Sequence, residues 1–266
     1  MTRTRTVVMG VVNATPDSFF APSRAEDAAV AVERARTLLD EGARIVDVGG
    51  ESTRPGATPI AEAEELARVL PVLEALSGTG RLSVDTVKPG VARRAVAAGA
   101  TLLNDVSGSL APLAAELGVG WVCMHHRGIP AGSAAAPVGP SVVDEVAHSV
   151  LDGARRARGL GVEEIYVDPG IGFGKDVDDN LRLLSHLDDL CDAAHAEGFG
   201  VLVGASRKRF IGALPHAPTL DADQRFEGSL AIAVYAMACG VDVVRVHDVA
   251  ATAHAAVLVA DEEVAA

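Results

Sequence analysis

Short apolar runs alternate with longer amphipathic, alanine-rich stretches along the whole chain. Eight of the runs have strand length and composition: 6–13 (TVVMGVVN), 44–50 (RIVDVGG), 81–86 (RLSVDT), 101–108 (TLLNDVSG), 120–125 (GWVCMH), 165–170 (IYVDPG), 201–206 (VLVGAS) and 243–247 (VVRVH). A helical pattern follows each of them, for example Ala25 to Glu41 ahead of Gly42 and Val91 to Ala98 ahead of Gly99, with glycine where a helix C-cap is expected. Near-continuous apolar strands separated by helices imply a parallel sheet covered by helices. Eight such pairs predict an α/β fold, a closed (β/α)8 TIM barrel, with residues 1–266 forming a single domain.

Composition narrows this little on fold and more on partners. The hydrophobic content of 49% over 266 residues suffices for one large core. The apolar run Val7 to Val12 is interrupted by Gly10 and followed by Asn13, too short for a signal peptide core or a membrane span. Cys123, Cys191 and Cys239 are odd in number, lack C-x-x-C spacing and sit in apolar or helical segments, as reduced thiols of a cytoplasmic protein would. A net charge of −13 argues against nucleic acid and against an anionic membrane. An anionic ligand would need a local basic cluster. Only three lysines occur, Lys88, Lys175 and Lys208, and each follows a predicted strand.

Barrel enzymes carry their chemistry at the C-terminal ends of the strands. The residues expected there are Asn13, then Glu51 to Arg54, Asp85, Asn104 with Asp105, His125, Asp168, Ser206 to Lys208, and Arg245 with His247. A rim built only for stability has no use for so many polar groups, because each one buried without a partner costs about 1–3 kcal/mol. Asp85, Asn104 and Asp168 suit the hydrogen-bonding edge of a flat heterocycle. Arg54, Arg207, Lys208, Arg245 and His247 suit a polyanion. Asp47 and Asp105 read as caps for adjacent loops. His125 and His126 read as packing rather than as a metal pair, Lys175 as a surface partner of Asp176 or Asp178, and Glu51 as either a ligand contact or a support for Arg54. The turn DPGIGFGK (168–175) fits neither nucleotide-binding glycine pattern: position 175 is lysine where G-x-G-x-x-G has its third glycine, and Asp176 stands where a P-loop has Ser or Thr. No nucleophile with an adjacent base is evident, so positioning and electrostatics are the expected means of catalysis.

The segments MGVVNATPDSF, ESTRPGA, SVDTVKP, LLNDVSG, VCMH, DPGIGFGK, GASRKRFIG and RVHDV follow one another in this order. Together they resemble the dihydropteroate synthase family over nearly the whole chain. The resemblance implies a cytoplasmic, homodimeric (β/α)8 enzyme, inhibited by sulfonamides, that joins 6-hydroxymethyl-7,8-dihydropterin diphosphate to p-aminobenzoate and releases pyrophosphate. It also implies Asp85, Asn104, Asp168 and Lys208 on the pterin, and Thr53, Arg54, Arg245 and His247 on the diphosphate. Pro55, Phe173, Ser206 and Arg207 would lie at the p-aminobenzoate, and Asn13 would ligate Mg²⁺. Lys208, Arg245 and His247 are the expected catalytic residues.

The chain departs from the family pattern in its first loop. Where members usually read Ser-Phe-Ser-Asp-Gly-Gly, this sequence has Ser18, Phe19, Phe20, Ala21, Pro22 and Ser23. His126 and Asp179 replace a frequent methionine and a frequent histidine. The loop change keeps a second reading in play, a non-catalytic or altered-specificity pterin-binding paralogue. A pterin-binding methyltransferase barrel would share the acid and amide pocket but needs neither the S-R-K nor the R-x-H set.

Overall fold

The computed structural model describes residues 6–14, 24–51, 58–127, 141–214 and 218–259, the side chains at 24–27 excepted. Eight parallel strands close into a barrel in chain order. They are β1 (Val7–Asn13), β2 (Ile45–Gly49), β3 (Arg81–Asp85), β4 (Ala100–Asp105), β5 (Gly120–Met124), β6 (Ile165–Asp168), β7 (Gly200–Val203) and β8 (Val243–Val246). β8 returns to β1 with Met9 opposite Arg245. The described helices are α1 (Arg24–Asp40), α2 (Glu62–Leu76), α3 (Pro89–Ala97), α4 (Ala111–Leu117), α5 (Val142–Gly159), α6 (Val177–Ser185), α7 (Leu187–Ala196), α8 (Phe226–Ala238) and α9 (Val249–Val259).

Local signals account for the element ends. Gly42 and Gly99, which follow the first and third helices, have φ of 106° and 112°, where an L side chain is strained. Pro89 opens α3, where its missing N–H costs nothing. Ser141 caps α5 by accepting from the Asp144 N–H, and Asp176 caps α6 by accepting from Asp179 N–H at 2.7 Å. Two features differ from the sequence expectation. The β6–β7 crossover holds two helices, broken at His186, rather than one. Strands β2 to β8 also end one to three residues early, so His125, Pro169 and Ser206 lie beyond their strands.

Strand alternation sorts side chains to the two faces of the barrel. The outward set packs under the helices in the main core. The inward set forms a separate cluster of Met9, Ile45, Leu102, Val122, Leu202 and Val243. Below this plug, Arg81 makes a bidentate pair with Glu164, which also accepts from Tyr166 Oη at 2.8 Å. One step above it, at residue i+2 on the same strands, the inward positions are Val11, Asp47, Asn104, Met124, Gly204 and Arg245. The apolar plug therefore forms the floor of a polar chamber.

Candidate active site

The chamber is organised around Arg245. Its Nε donates to Asp47 Oδ2 at 2.6 Å and its Nη2 to Asp85 Oδ2 at 2.8 Å. Asn104 Nδ2 donates to the same Asp47 oxygen at 2.9 Å. Three elements predicted for two different ligand parts, Asp85 and Asn104 for the heterocycle and Arg245 for the anion, are thus one connected network. Asp47 was expected to cap a loop and does not; it is fully buried beneath the others. Asp105 does cap: it points outward and accepts from Ser107 N–H at 2.9 Å, Leu110 N–H at 2.7 Å and Trp121 Nε1 at 3.3 Å.

Asp168 ends β6 at the opposite wall. Its Oδ1 accepts from Gly170 N–H at 2.7 Å, so one oxygen secures the turn behind it and the carboxylate keeps its further lone pairs. The three glycines of that turn all have positive φ, at 65°, 81° and 69°. A Cβ at Gly170 would overlap the His125 carbonyl, one at Gly174 would overlap the Arg127 carbonyl, and one at Gly172 would lie 2.7 Å from Lys208 Cδ. The glycines thus let the β6 turn lie against the end of β5 and over Lys208. Lys208 donates to the Ile171 carbonyl and sits 4.1 Å from the Phe173 ring centre, a cation–π contact.

Lys175 contradicts its sequence expectation. It does not pair with Asp176 or Asp178 in solvent. Its Nζ turns inward and donates to the carbonyls of Gly170 at 2.8 Å, His125 at 3.3 Å and Phe173 at 3.4 Å, tying the β6 turn to the β5 end. Beside it Arg127, which is buried, pairs with Glu145 on α5 and with Asp179 on α6 at 3.0 Å. The departure from histidine at 179 therefore completes a buried ion network under the turn. His125 Nε2 lies 3.4 Å from Glu145 in the same network. β5 ends at Met124, and His125 and His126 are packed into the turn region as expected, each with a buried Nδ1 that has no partner.

At the rim, Ser206 Oγ accepts from His247 N–H at 3.2 Å and meets His247 Nδ1 at 3.0 Å. A serine hydroxyl can accept from the backbone N–H and still either accept from or donate to Nδ1. This serine–histidine contact was not foreseen, and the backbone bond makes it an orienting contact. Arg207 has φ of 59°, a left-handed conformation unusual for a side-chain-bearing residue. Its N–H donates to Ser229 Oγ at 2.8 Å, and its guanidinium makes a two-point pair with Asp248. Asn13 stands half-buried at the end of β1. Glu51 pairs with Lys88, which also holds Glu65, and accepts from Ile60 N–H at 3.0 Å. Thr53, Arg54 and Pro55 lie outside the described residues, as does the first loop from 15 to 23.

Burial dominates the electrostatics. It pushes the Asp85 carboxyl up to about 7 against the opposing pull of Arg245, and it raises Asp168 against Lys208. It brings Lys208 and Lys175 down to about 7 each, with Asp168 opposing in both cases. For Arg245 burial opposes the charge, but Asp47 and Asp85 outweigh it and the pKa rises. The chamber therefore holds alternating acids and bases out of water, in a setting where a polar heterocycle can replace solvent.

Residues 9–247 match the family model described as pterin binding enzyme. The dihydropteroate synthase of Mycobacterium leprae is 42% identical over 260 residues, covering 93% of this chain and 90% of that protein. Two solved structures of Xanthomonas albilineans dihydropteroate synthase superpose closely. The one with 4-aminobenzoic acid gives a TM-score of 0.85 at 43% identity, covering 96% of this chain and 92% of the other. The one in complex with 7,8-dihydropteroate gives 0.83 at 40% identity, covering 97% and 94%. This chain belongs to the dihydropteroate synthase family.

Proposed function

We propose that the chamber binds 6-hydroxymethyl-7,8-dihydropterin diphosphate and joins it to p-aminobenzoate, giving 7,8-dihydropteroate and pyrophosphate. The carrying observation is the layer of Asp85, Asn104 and Asp168 on three walls of one buried chamber, closed by Arg245 and Lys208. Relatives solved with 4-aminobenzoic acid and with 7,8-dihydropteroate support both halves of the substrate pair. The C–O bond from the pterin methylene to the diphosphate breaks, its electron pair leaving with pyrophosphate. The amine nitrogen forms the new C–N bond and loses a proton.

The protein's part is to hold and orient. Asp168 and Asn104 receive the N–H edge of the pterin, with Asp85 and Lys208 around the ring. His247 faces the diphosphate, assisted by Arg245, Thr53 and Arg54. Phe173 and Pro55 flank the p-aminobenzoate ring, and Ser206 and Arg207 meet its carboxylate. Among the described residues no cluster of three His, Cys, Asp or Glu side chains could hold a metal alone. Asn13 supplies one hard oxygen at the strand end, which fits Mg²⁺ bound mainly through substrate oxygens and water. Mg²⁺ there would neutralise charge on the leaving pyrophosphate.

A homodimer is part of the proposal. α8 and α9 are apolar on most faces, and Tyr235, Val257 and Leu258 are 45%, 40% and 75% exposed. Such an exposed apolar surface fits a second copy of the chain. The buried free thiols Cys123 and Cys191 fit the reducing cytoplasm. Among the described residues no helix is long and apolar enough to cross a membrane. Incubation with both substrates and mass detection of 7,8-dihydropteroate tests the activity. Tight pterin binding with no product would favour the non-catalytic paralogue.

A further inference from the structure

One acid in the chamber has no role in the reaction as described. Asp47 is fully buried on β2, between Ile45 and Gly49. Its Oδ2 accepts from both Arg245 Nε at 2.6 Å and Asn104 Nδ2 at 2.9 Å, while its Oδ1 has no partner. We propose that Asp47 is a positioning residue that sets the hydrogen-bond polarity of the pterin pocket, by turning the Asn104 amide oxygen toward the ligand. The inference rests on the pterin reading and adds a determinant of its specificity.

Hydrogen-bond sense decides which way the Asn104 amide faces. The two ends of an asparagine amide have the same shape and opposite character, one donating and one accepting. A carboxylate oxygen that receives an arginine N–H accepts and does not donate. The end of Asn104 facing Asp47 must therefore be its NH₂, because a flipped amide would set two acceptors 2.9 Å apart in a dry site. The other end, the carbonyl oxygen, is then committed to the ligand side before any ligand arrives. With Asp85 and Asp168 this makes three acceptors on three strands, a wall that selects a heterocycle presenting several N–H groups and disfavours one presenting carbonyls in their place. Arg245 is bound to the same oxygen, so the acceptor wall and the cation share one support.

The test is calorimetric titration of 6-hydroxymethylpterin into wild type, Asp47→Ala, Asn104→Ala and the double variant. Asp47→Ala removes the acceptor that the Asn104 NH₂ faces, so the amide loses its fixed sense. Binding should weaken about tenfold or more, and in the Asn104→Ala background most of that loss should vanish, as expected for directly coupled residues. An equal fold-loss in both backgrounds would show that Asp47 acts on the fold alone and would overturn the proposal. A measurement on the unaltered protein guards against variants that fail to fold. The Asn104 side-chain N–H₂ signals should already be protected from solvent exchange before pterin is added. Free exchange that stops only on adding pterin would mean that the NH₂ faces the ligand, and would also overturn it. If the wild type binds no pterin, the proposed function falls and this inference with it. If wild type and Asp47→Ala bind pterin equally, this inference alone falls.

Discussion

The Arg245 guanidinium on β8 reaches across the barrel interior to Asp85 on β3, with Nη2 and Oδ2 2.8 Å apart. The same side chain holds Asp47 through Nε, so a single cation bridges the buried Asp47 and the half-buried Asp85. Removing it as Arg245→Ala leaves both carboxylates together without a counter-charge, and breaking a buried pair in this way costs about 3–5 kcal/mol. Lysine is no substitute, since one ammonium cannot reproduce the planar fork that meets both acids. Arg245→Ala and Arg245→Lys should both lower denaturant midpoints and both weaken bare pterin and pterin diphosphate. Denaturant unfolding and calorimetry check this. A lysine variant with wild-type stability and affinity would refute it.

His247 stands outside that network, at the rim, and its variant should behave differently. His247→Ala is expected to weaken pterin diphosphate binding markedly and to leave 6-hydroxymethylpterin binding almost unchanged. The difference should shrink in high salt, because the diphosphate's charge near solvent is screened. Titrations of both ligands at low and high ionic strength read it out, and equal losses for the two ligands would contradict the assignment.

Asp168→Asn should abolish pterin binding. It replaces a carboxylate oxygen with a donor amide where the pterin edge needs acceptors, and it removes part of the hold on Gly170 N–H, now 2.7 Å from Oδ1. Calorimetry with pterin diphosphate checks this, with circular dichroism as the control for folding. Unchanged affinity would take Asp168 out of the pocket.

Lys175 makes a pH prediction. Burial lowers its pKa in the folded protein to about 7, whereas the unfolded chain carries an ordinary lysine near 10.5. Between these values the unfolded state binds more protons, so stability rises with pH. Lys175→Met removes this dependence. Wild type should therefore gain stability relative to Lys175→Met between pH 7 and about 10, as read by urea unfolding across that range. A difference that stays flat, or falls, would show that the lysine is not held as described.

The fold was legible because it depends on patterning: eight apolar runs and the glycines after the helices suffice to predict a barrel. The outer acids and bases of the chamber were legible from their places at strand ends. Asp47 was not, because it lies inside its strand and its partners Asn104 and Arg245 are 57 and 198 residues away. Its only signal was parity, two residues beyond Ile45 on the inward face. Lys175 was misread for a related reason. Its three acceptors are backbone carbonyls, which carry no residue identity, while the acids beside it in sequence suggested an ion pair.

The first loop offers a prediction from sequence alone. With Ala21 and Pro22 in place of the family's acid and glycine, pterin diphosphate should bind normally while p-aminobenzoate shows a high KM. Proline also fixes φ and lacks an N–H, which removes freedom that glycine supplies. Restoring Asp-Gly-Gly at 21–23 should lower that KM without changing pterin affinity, as measured by steady-state kinetics at saturating pterin diphosphate. A low KM in the unaltered protein would mean that other residues serve the amine.

The most direct test of the account is pyrophosphate release by the purified protein, supplied with pterin diphosphate and p-aminobenzoate, beside its Asp168→Asn variant. The account predicts release that requires both substrates, matched mole for mole by 7,8-dihydropteroate, and lost in the variant. Release from wild type and Asp168→Asn at the same rate, or none from a wild type that binds both substrates, would contradict it.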